Sequence, residues 1–202
     1  IFKLPIAIDI YNGAKKVRQN VWAENRIDSF AFSYTKRPDL INVDADKILL
    51  CEKTDNKTAD NYIHQIKYAP LYLDRKEALE YFAENEMKEL AEGLKDKFGS
   101  LREYSIYIIS EGKFFKDAAV IKTVEEIAAI ETNKKAKAAA LEFLAKTADK
   151  KYLGIFKTNI NDSSYSVAGA ALDGLAVLEP QNAYDIAKKY STDAKRSEER
   201  RV

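Results

Sequence analysis

The only histidine in the chain is His64, within Asn61-Tyr62-Ile63-His64-Gln65, and the only cysteine is Cys51. A zinc hydrolase needs histidines at ligand spacing, commonly two on one helical turn with a carboxylate between them. His64 has no such partner and reads as a residue on the surface or second face of a helix. A thiol nucleophile needs a base to take its proton. Cys51 has none nearby in sequence, sits in a strand-like stretch, and reads as a small buried hydrophobe. One cysteine also excludes an internal disulfide and a cysteine-based zinc site. The carboxylate pairs Glu125-Glu126 and Glu198-Glu199 are adjacent in sequence, so on a helix they diverge, and they read as solvated faces. Seven scattered glycines form neither a phosphate-binding loop nor a dinucleotide fingerprint. Tyr104, Tyr107, Phe114 and Phe115 read as core packing rather than the wall of a groove. The charged tail from Lys195 to Arg201 reads as a fraying end. No catalytic, cofactor-binding or metal-ligating residue is therefore assigned.

Composition narrows the function classes further. Lysine and arginine number 33 and aspartate and glutamate 32, so the 202-residue chain carries a net charge of +1. No basic stripe with interleaved aromatics stands out, which argues against nucleic acid as the main partner. No apolar run approaches the roughly 18 residues of a membrane span. Ile1-Phe2-Lys3-Leu4-Pro5 already alternates like a strand, so no signal peptide is read there. A start inside such a pattern, without methionine, looks like a piece of a longer chain.

Up to about Lys53 the hydrophobic period is two. Phe2, Leu4, Ile6, Ile8 and Ile10 alternate with Lys3, Pro5, Ala7 and Asp9, and Asn12-Gly13 signals a hairpin turn. Further strands are expected near Lys16–Trp22, Ile27–Tyr34, Leu40–Val43 and Ile48–Cys51, with a polar turn at Asp44–Lys47. This predicts an antiparallel β-sandwich-like module over residues 1–54, too thin to be complete at its N-terminus. From residue 55 to 202 the period is 3.6. Helices are expected over 58–68, 75–98, 100–111, 123–131, 134–147, 150–158, 165–178 and 182–190. Asp74 with Glu77 and Thr123 with Glu126 have capping-box spacing, and Pro180 suits a first helical turn.

One phrase recurs in the helical part: "ALEYFA" from Ala78, "ALEFLA" from Ala140 and "ALDGLA" from Ala171, 62 and 31 residues apart. The acids Glu80, Glu142 and Asp173 are expected to face water, and Leu79, Leu141 and Leu172 to face the core with Phe82, Leu144 and Leu175. Small alanines let helices approach closely. Ile155 and Ile186 extend the match into a second helix. The spacing implies a 31-residue unit whose copy between the first two, near Ser105–Phe115, has lost the phrase. Paired helices that bury their faces only against neighbouring copies make an α-solenoid; a bundle of alanine-rich helices is the alternative. The fold class expected is multidomain β + α, a sandwich-like module followed by an α-solenoid.

Three stretches, "FKLPIAIDIYNG", "FAFSYTKRPDLINVDADKILLCEKTDNKT" and "APLYLDRKEALEYFA", resemble the non-catalytic C-terminal half of zinc aminopeptidases of the aminopeptidase N type, most closely the bacterial branch with HEAT-like helical hairpins. The resemblance covers nearly the whole chain. It implies a β spacer and a helical domain curved over the active-site cleft of an upstream catalytic domain, where peptide substrate would enter. Zinc, its ligands and the general base would belong to that upstream domain. None of its motifs is present here, so no residue role carries over. The alternative expectation is a protein-binding scaffold with no enzymatic activity in the parent.

Overall fold

Residues 3–191 are described in the computed structural model of the chain. Alternation over Leu4–Asn12 gives strand β1, and over Lys15–Ala23 strand β2. They pair antiparallel with Asn12 facing Lys15, which makes Gly13 and Ala14 the central turn residues. Gly13 has φ 58°, and a glycine first in a two-residue turn is what the type II′ hairpin requires. Strand β3, Leu40–Val43, pairs with the other side of β1, so the sheet order is β2-β1-β3. Cross-strand register puts Ile6, Ile8 and Ile10 on one face with Val17, Val21, Ile41 and Val43. Ala7, Asp9 and Tyr11 share the other face with Lys16, Arg18, Asn20, Leu40 and Asn42.

The strands expected at Ile27–Tyr34 and Ile48–Cys51 do not form. A strand persists only when a neighbour takes its backbone N–H and C=O groups. Both segments lack such a neighbour among the described residues, and Ile27, Phe30, Tyr34, Ile48 and Leu50 stay exposed. The β part is therefore one three-stranded antiparallel sheet, without a second sheet among the described residues.

Helix α1, Ala59–Tyr68, opens with a reciprocal cap: Thr58 accepts from the Asn61 N–H, and the Asn61 side chain accepts from the Thr58 N–H. Helix α2 covers Tyr72–Glu84, so the long helix expected over 75–98 is wrong at both ends. Its start lies before Asp74, which sits in the first turn rather than at the cap. Its end is a Schellman turn: the Met87 N–H bonds to the Phe82 carbonyl and the Glu86 N–H to that of Ala83, with Glu86 at φ 48°. Glycine is the usual residue there, and a glutamate leaves no signal to read. A 3-10 helix, Lys88–Lys95, follows.

By its contacts the chain divides into two units, Ile1–Glu89 and Leu90–Val202, so α1 and α2 fall with the sheet. The second unit holds α3 (Gly99–Glu111), α4 (Ala118–Ile130), α5 (Lys134–Lys146), α6 (Leu153–Asn159), α7 (Tyr165–Leu178) and α8 (Pro180–Ser191). Asp117 caps α4 by accepting from the Ala119 and Val120 N–H groups. The start expected at Thr123 was therefore five residues late; its hydroxyl donates to the Ala119 carbonyl in mid-helix. Helix α5 packs on α3, α4 and α7, and α7 packs on α5, α6 and α8.

The recurring phrase marks closest packing. Ala78, Ala140 and Ala171 are each fully buried, as are Leu79, Leu141, Phe82, Leu144 and Leu175. Leu172 is half-buried, Glu142 and Asp173 are exposed, and Glu80 is half-exposed. In α3, Ser105, Ile106 and Ile109 are buried, as are Ala140, Leu141 and Leu144 of α5. The small residue of α3 is Ser105, and it lies 27 residues after Ala78 and 35 before Ala140. That is within the stretch Ser105–Phe115 where the degenerate copy is expected, and the 3-10 turn Lys113–Lys116 lies in the connection that follows. No helix among the described residues is long and apolar enough to cross a membrane.

Candidate functional site

His64 lies on α1 with its ring between two tyrosines, 5.7 Å from Tyr11 edge-on and 4.5 Å from Tyr68. It is half-buried, and its Nε2 is buried without a hydrogen-bond partner among the described residues. Burial pushes its pKa down, and the nearby Lys67 adds to that; Asp39 and a hydrogen bond to the Gly13 backbone oppose it without prevailing. The ring is thus held toward its neutral form.

Beside His64 is a cleft of about 660 Å³ between α1 and the loop that leads into β3. The loop contributes Lys36, Arg37, Pro38 and Asp39, and α1 contributes Asn61, Ile63, His64, Lys67 and Tyr68. Both walls are fixed. The Asp39 carboxylate accepts the Gly13 N–H at 2.7 Å, and the Asp39 carbonyl accepts the Asn61 side-chain amide at 2.7 Å. Sequence reasoning assigned these residues no role. The one sequence signal here is the break that Lys36-Arg37-Pro38-Asp39 makes between the apolar runs on either side of it.

A second polar assembly is buried beneath the other side of the helix pair. Lys47 Nζ lies 2.6 Å from Asp74 Oδ1 and donates to the Asn42 side-chain oxygen and the Asp44 carbonyl. Asp74 is wholly buried, and Asn42 donates to it at 3.0 Å. Lys47 has φ 52°, a left-handed conformation that costs a non-glycine residue about 1–2 kcal/mol; three partners on one ammonium hold it there. Nearby, Lys53 and Lys57 flank Asp55 and Glu77, with Lys57 2.7 Å from Asp55 and 3.1 Å from Glu77. Lys53 is 2.8 Å from Asp55 and 3.3 Å from Glu77. Burial pushes Asp55 and Glu77 up, yet the two lysines outweigh it and hold both carboxyls below their ordinary values. On the sheet, Asp9 is likewise held low by Arg18 and Lys16 against its own burial. Tyr11 is pushed up to about 12 by burial and by the charges of Asp9 and Asp74.

The other residues singled out in the sequence take structural places. Cys51 is exposed in an irregular segment, not a buried strand residue, because the strand meant to bury it does not form. Glu125 accepts from the Tyr152 hydroxyl at 2.6 Å and pairs with Lys151, while Glu126 is exposed. Phe115 packs edge-on against Phe143 at 4.9 Å; Tyr104 and Phe114 are half-buried and Tyr107 is exposed. Glu198, Glu199 and the tail from Lys195 to Arg201 lie outside the described residues. Among the described residues no group of three or more histidine, cysteine, aspartate or glutamate side chains is placed to hold a metal ion.

In the second unit, Gly169 and Leu172 of α7 are only half-buried. With Tyr165, Ala187 and Tyr190 they line an apolar groove of about 480 Å³. Their counterparts in α5, Ala138 and Leu141, are buried.

Comparison with known protein families and with curated proteins found no match to this chain.

Proposed function

We propose that this chain is a non-catalytic C-terminal region of a zinc-dependent aminopeptidase, one that shapes and restricts peptide access to an upstream active site. One observation carries the reading beyond the resemblance itself. Two of the stretches that resemble that family contribute side chains to one charged assembly: Asn42 and Lys47 from the second, with Lys53, Asp55 and Lys57 further along it, meet Asp74 and Glu77 from the third. The first stretch joins the second through the pairing of β1 with β3. Buried charges tolerate few substitutes once their partners are set, so residues of this kind are what a resemblance between distant chains would retain.

The helical part of the reading is an α-solenoid of HEAT-like hairpins. What supports it is the side-by-side packing of α3, α5 and α7, each with a small buried residue at the matching position, Ser105, Ala140 and Ala171. A solenoid has a concave face whose curvature comes from small rotations per repeat, and such a face can enclose a cleft. The zinc would act in the upstream domain as Lewis acid and water activator.

The test is direct. The 202 residues alone should bind no stoichiometric zinc and cleave no aminoacyl-anilide, and the chain extended upstream should do both. An upstream sequence without a His-Glu-x-x-His helix would overturn the proposal. A protein-binding scaffold is the second reading, favoured by the open groove on α7 and α8. Capture of one defined partner that is lost on Leu172→Lys, with no peptidase activity in the extended chain, would select it.

A further inference from the structure

Lys36, Arg37 and Lys67 surround the cleft beside His64, and none of them has an ion-pair partner within 4.0 Å among the described residues. Elsewhere in the same unit Lys3 pairs with Glu24, Lys16 and Arg18 with Asp9, Lys47 with Asp74, Lys53 and Lys57 with Asp55, and Lys76 with Glu80, whereas Lys15, Arg26 and Lys88 stand exposed and do not line the cleft. Three cations without an ion pair line one concavity whose walls are joined by hydrogen bonds, and Lys36 also acts at longer range on Asp39. We propose that this cleft binds a small organic oxyanion, a phosphate or carboxylate group carried on an apolar or aromatic body.

The division of labour follows from the side chains. The planar fork of Arg37 matches two oxygens of a carboxylate or phosphate, and Lys36 and Lys67 add point charges from the two walls. Ile63 and the half-exposed ring of Tyr68 offer apolar surface for the rest of the molecule. A water takes about 30 Å³ of liquid, so a cleft of about 660 Å³ holds far more than a bare ion. Such volumes are typical of small organic ligands. Asp39 and Asp60 also line the cleft. Asp39 is committed to the Gly13 N–H, and Asp60 stands in the first turn of α1, where the helix dipole favours it. Their charges oppose the three cations, so binding is modest in strength and weakens with salt.

Because His64 is the only histidine, its ring gives one resolved NMR signal that reports directly on the cleft. The experiment is a titration of the folded chain, at fixed pH and ionic strength, with phenyl phosphate, benzoate, inorganic phosphate and, as a cationic control, benzylamine. Phenyl phosphate or benzoate should shift the His64 signal saturably with a dissociation constant of about 1 mM or tighter, and inorganic phosphate should bind more weakly. Which aromatic anion binds better separates phosphate from carboxylate recognition. The double substitution Lys36→Ser with Arg37→Ser should weaken binding about tenfold or more, and Lys67→Gln, on the opposite wall, should weaken it as well. The remaining amide signals check that each variant is folded. A linear, unsaturated response, an equal response to benzylamine, or unchanged binding in the folded variants would overturn the proposal.

Discussion

The two units of this chain use opposite means to hold helices in place. In the first, α2 is tied through charge to the segments that follow β3, Lys47 with Asp74 and Lys53 and Lys57 with Asp55 and Glu77, and Gln65 of α1 joins by donating to the Asp74 carbonyl and to Glu77. In the second, α3, α5 and α7 meet through small buried residues, and apart from the largely buried Arg102–Glu131 the ion pairs lie toward the surface, as with Lys134 and Asp162. A three-stranded sheet has little apolar area to offer two helices, so directional contacts fix their placement. Stacked helices have area to spare and need only close approach. Directional contacts fail abruptly when one partner is lost, whereas packed contacts fail in proportion to the volume changed.

That contrast can be broken most sharply at Lys47. Lys47→Met leaves Asp74 buried with Asn42 as its remaining partner, and removing one member of a buried pair costs about 3–5 kcal/mol. Denaturation followed by segment-resolved hydrogen exchange should show α1 and α2 losing protection while α5 and α7 keep theirs. Equal loss in both units would mean that they share one stabilising network.

The packing side is tested at Gly174. A Cβ there would lie 2.5 Å from the Phe156 ring, and Phe156 is fully buried. Gly174→Ala gains about 1 kcal/mol of helix propensity but overpacks the core by about 1–3 kcal/mol, a net loss of about 1 kcal/mol in chemical denaturation. In α5 the matching position is Phe143, buried against Phe115. One repeat thus supplies its own aromatic and the next leaves room for one from α6. Stabilisation by Gly174→Ala would show that this contact is looser than the packing account requires.

A smaller effect of opposite sign belongs to Ser105, whose buried hydroxyl has no partner among the described residues. Ser105→Ala completes the pattern of Ala140 and Ala171 and should stabilise the second unit by about 1 kcal/mol; a loss of melting temperature would contradict the register proposed for α3. The smallest change is Lys134→Ala, which breaks an exposed pair with Asp162 and should shift stability by less than about 0.5 kcal/mol.

These residues also show what the sequence could disclose. The helices that bury an apolar stripe, α1, α3, α5 and α7, were legible from periodicity, as was the hairpin at Gly13, because local pattern and tertiary burial agree there. The end of α2 was not, since Glu86 takes a conformation that glycine would have announced. The segment Ile27–Tyr34 has a strand's alternation and no strand beside it; pattern reports what a segment could bury, not whether a partner exists. For the cleft, the contributing residues come from two segments more than 20 positions apart. His64 alone suggested nothing, and its environment of Lys36, Arg37 and Lys67 is created only when the loop folds onto α1.

The contrast between the units is tested most directly by hydrogen exchange followed segment by segment from pH 7 to pH 4, corrected for intrinsic rates. In the first unit, His64 is held below its ordinary 6.5, so its contribution is lost as pH falls below that value. Asp55 and Glu77 are held below 3.8 and 4.5, so theirs is complete above that range and begins to fail as pH enters it. In the second unit, Glu131 is held low by Arg102 against its burial, but Glu142, exposed as a residue yet partly desolvated at its carboxyl and facing Asp173 and Glu103, is held above 4.5, and its protonation favours the fold. Protection in α1 and α2 should therefore fall further than in α5 and α7, beginning below about pH 6.5. Parallel loss in the two units, or earlier loss in α5 and α7, would contradict the account.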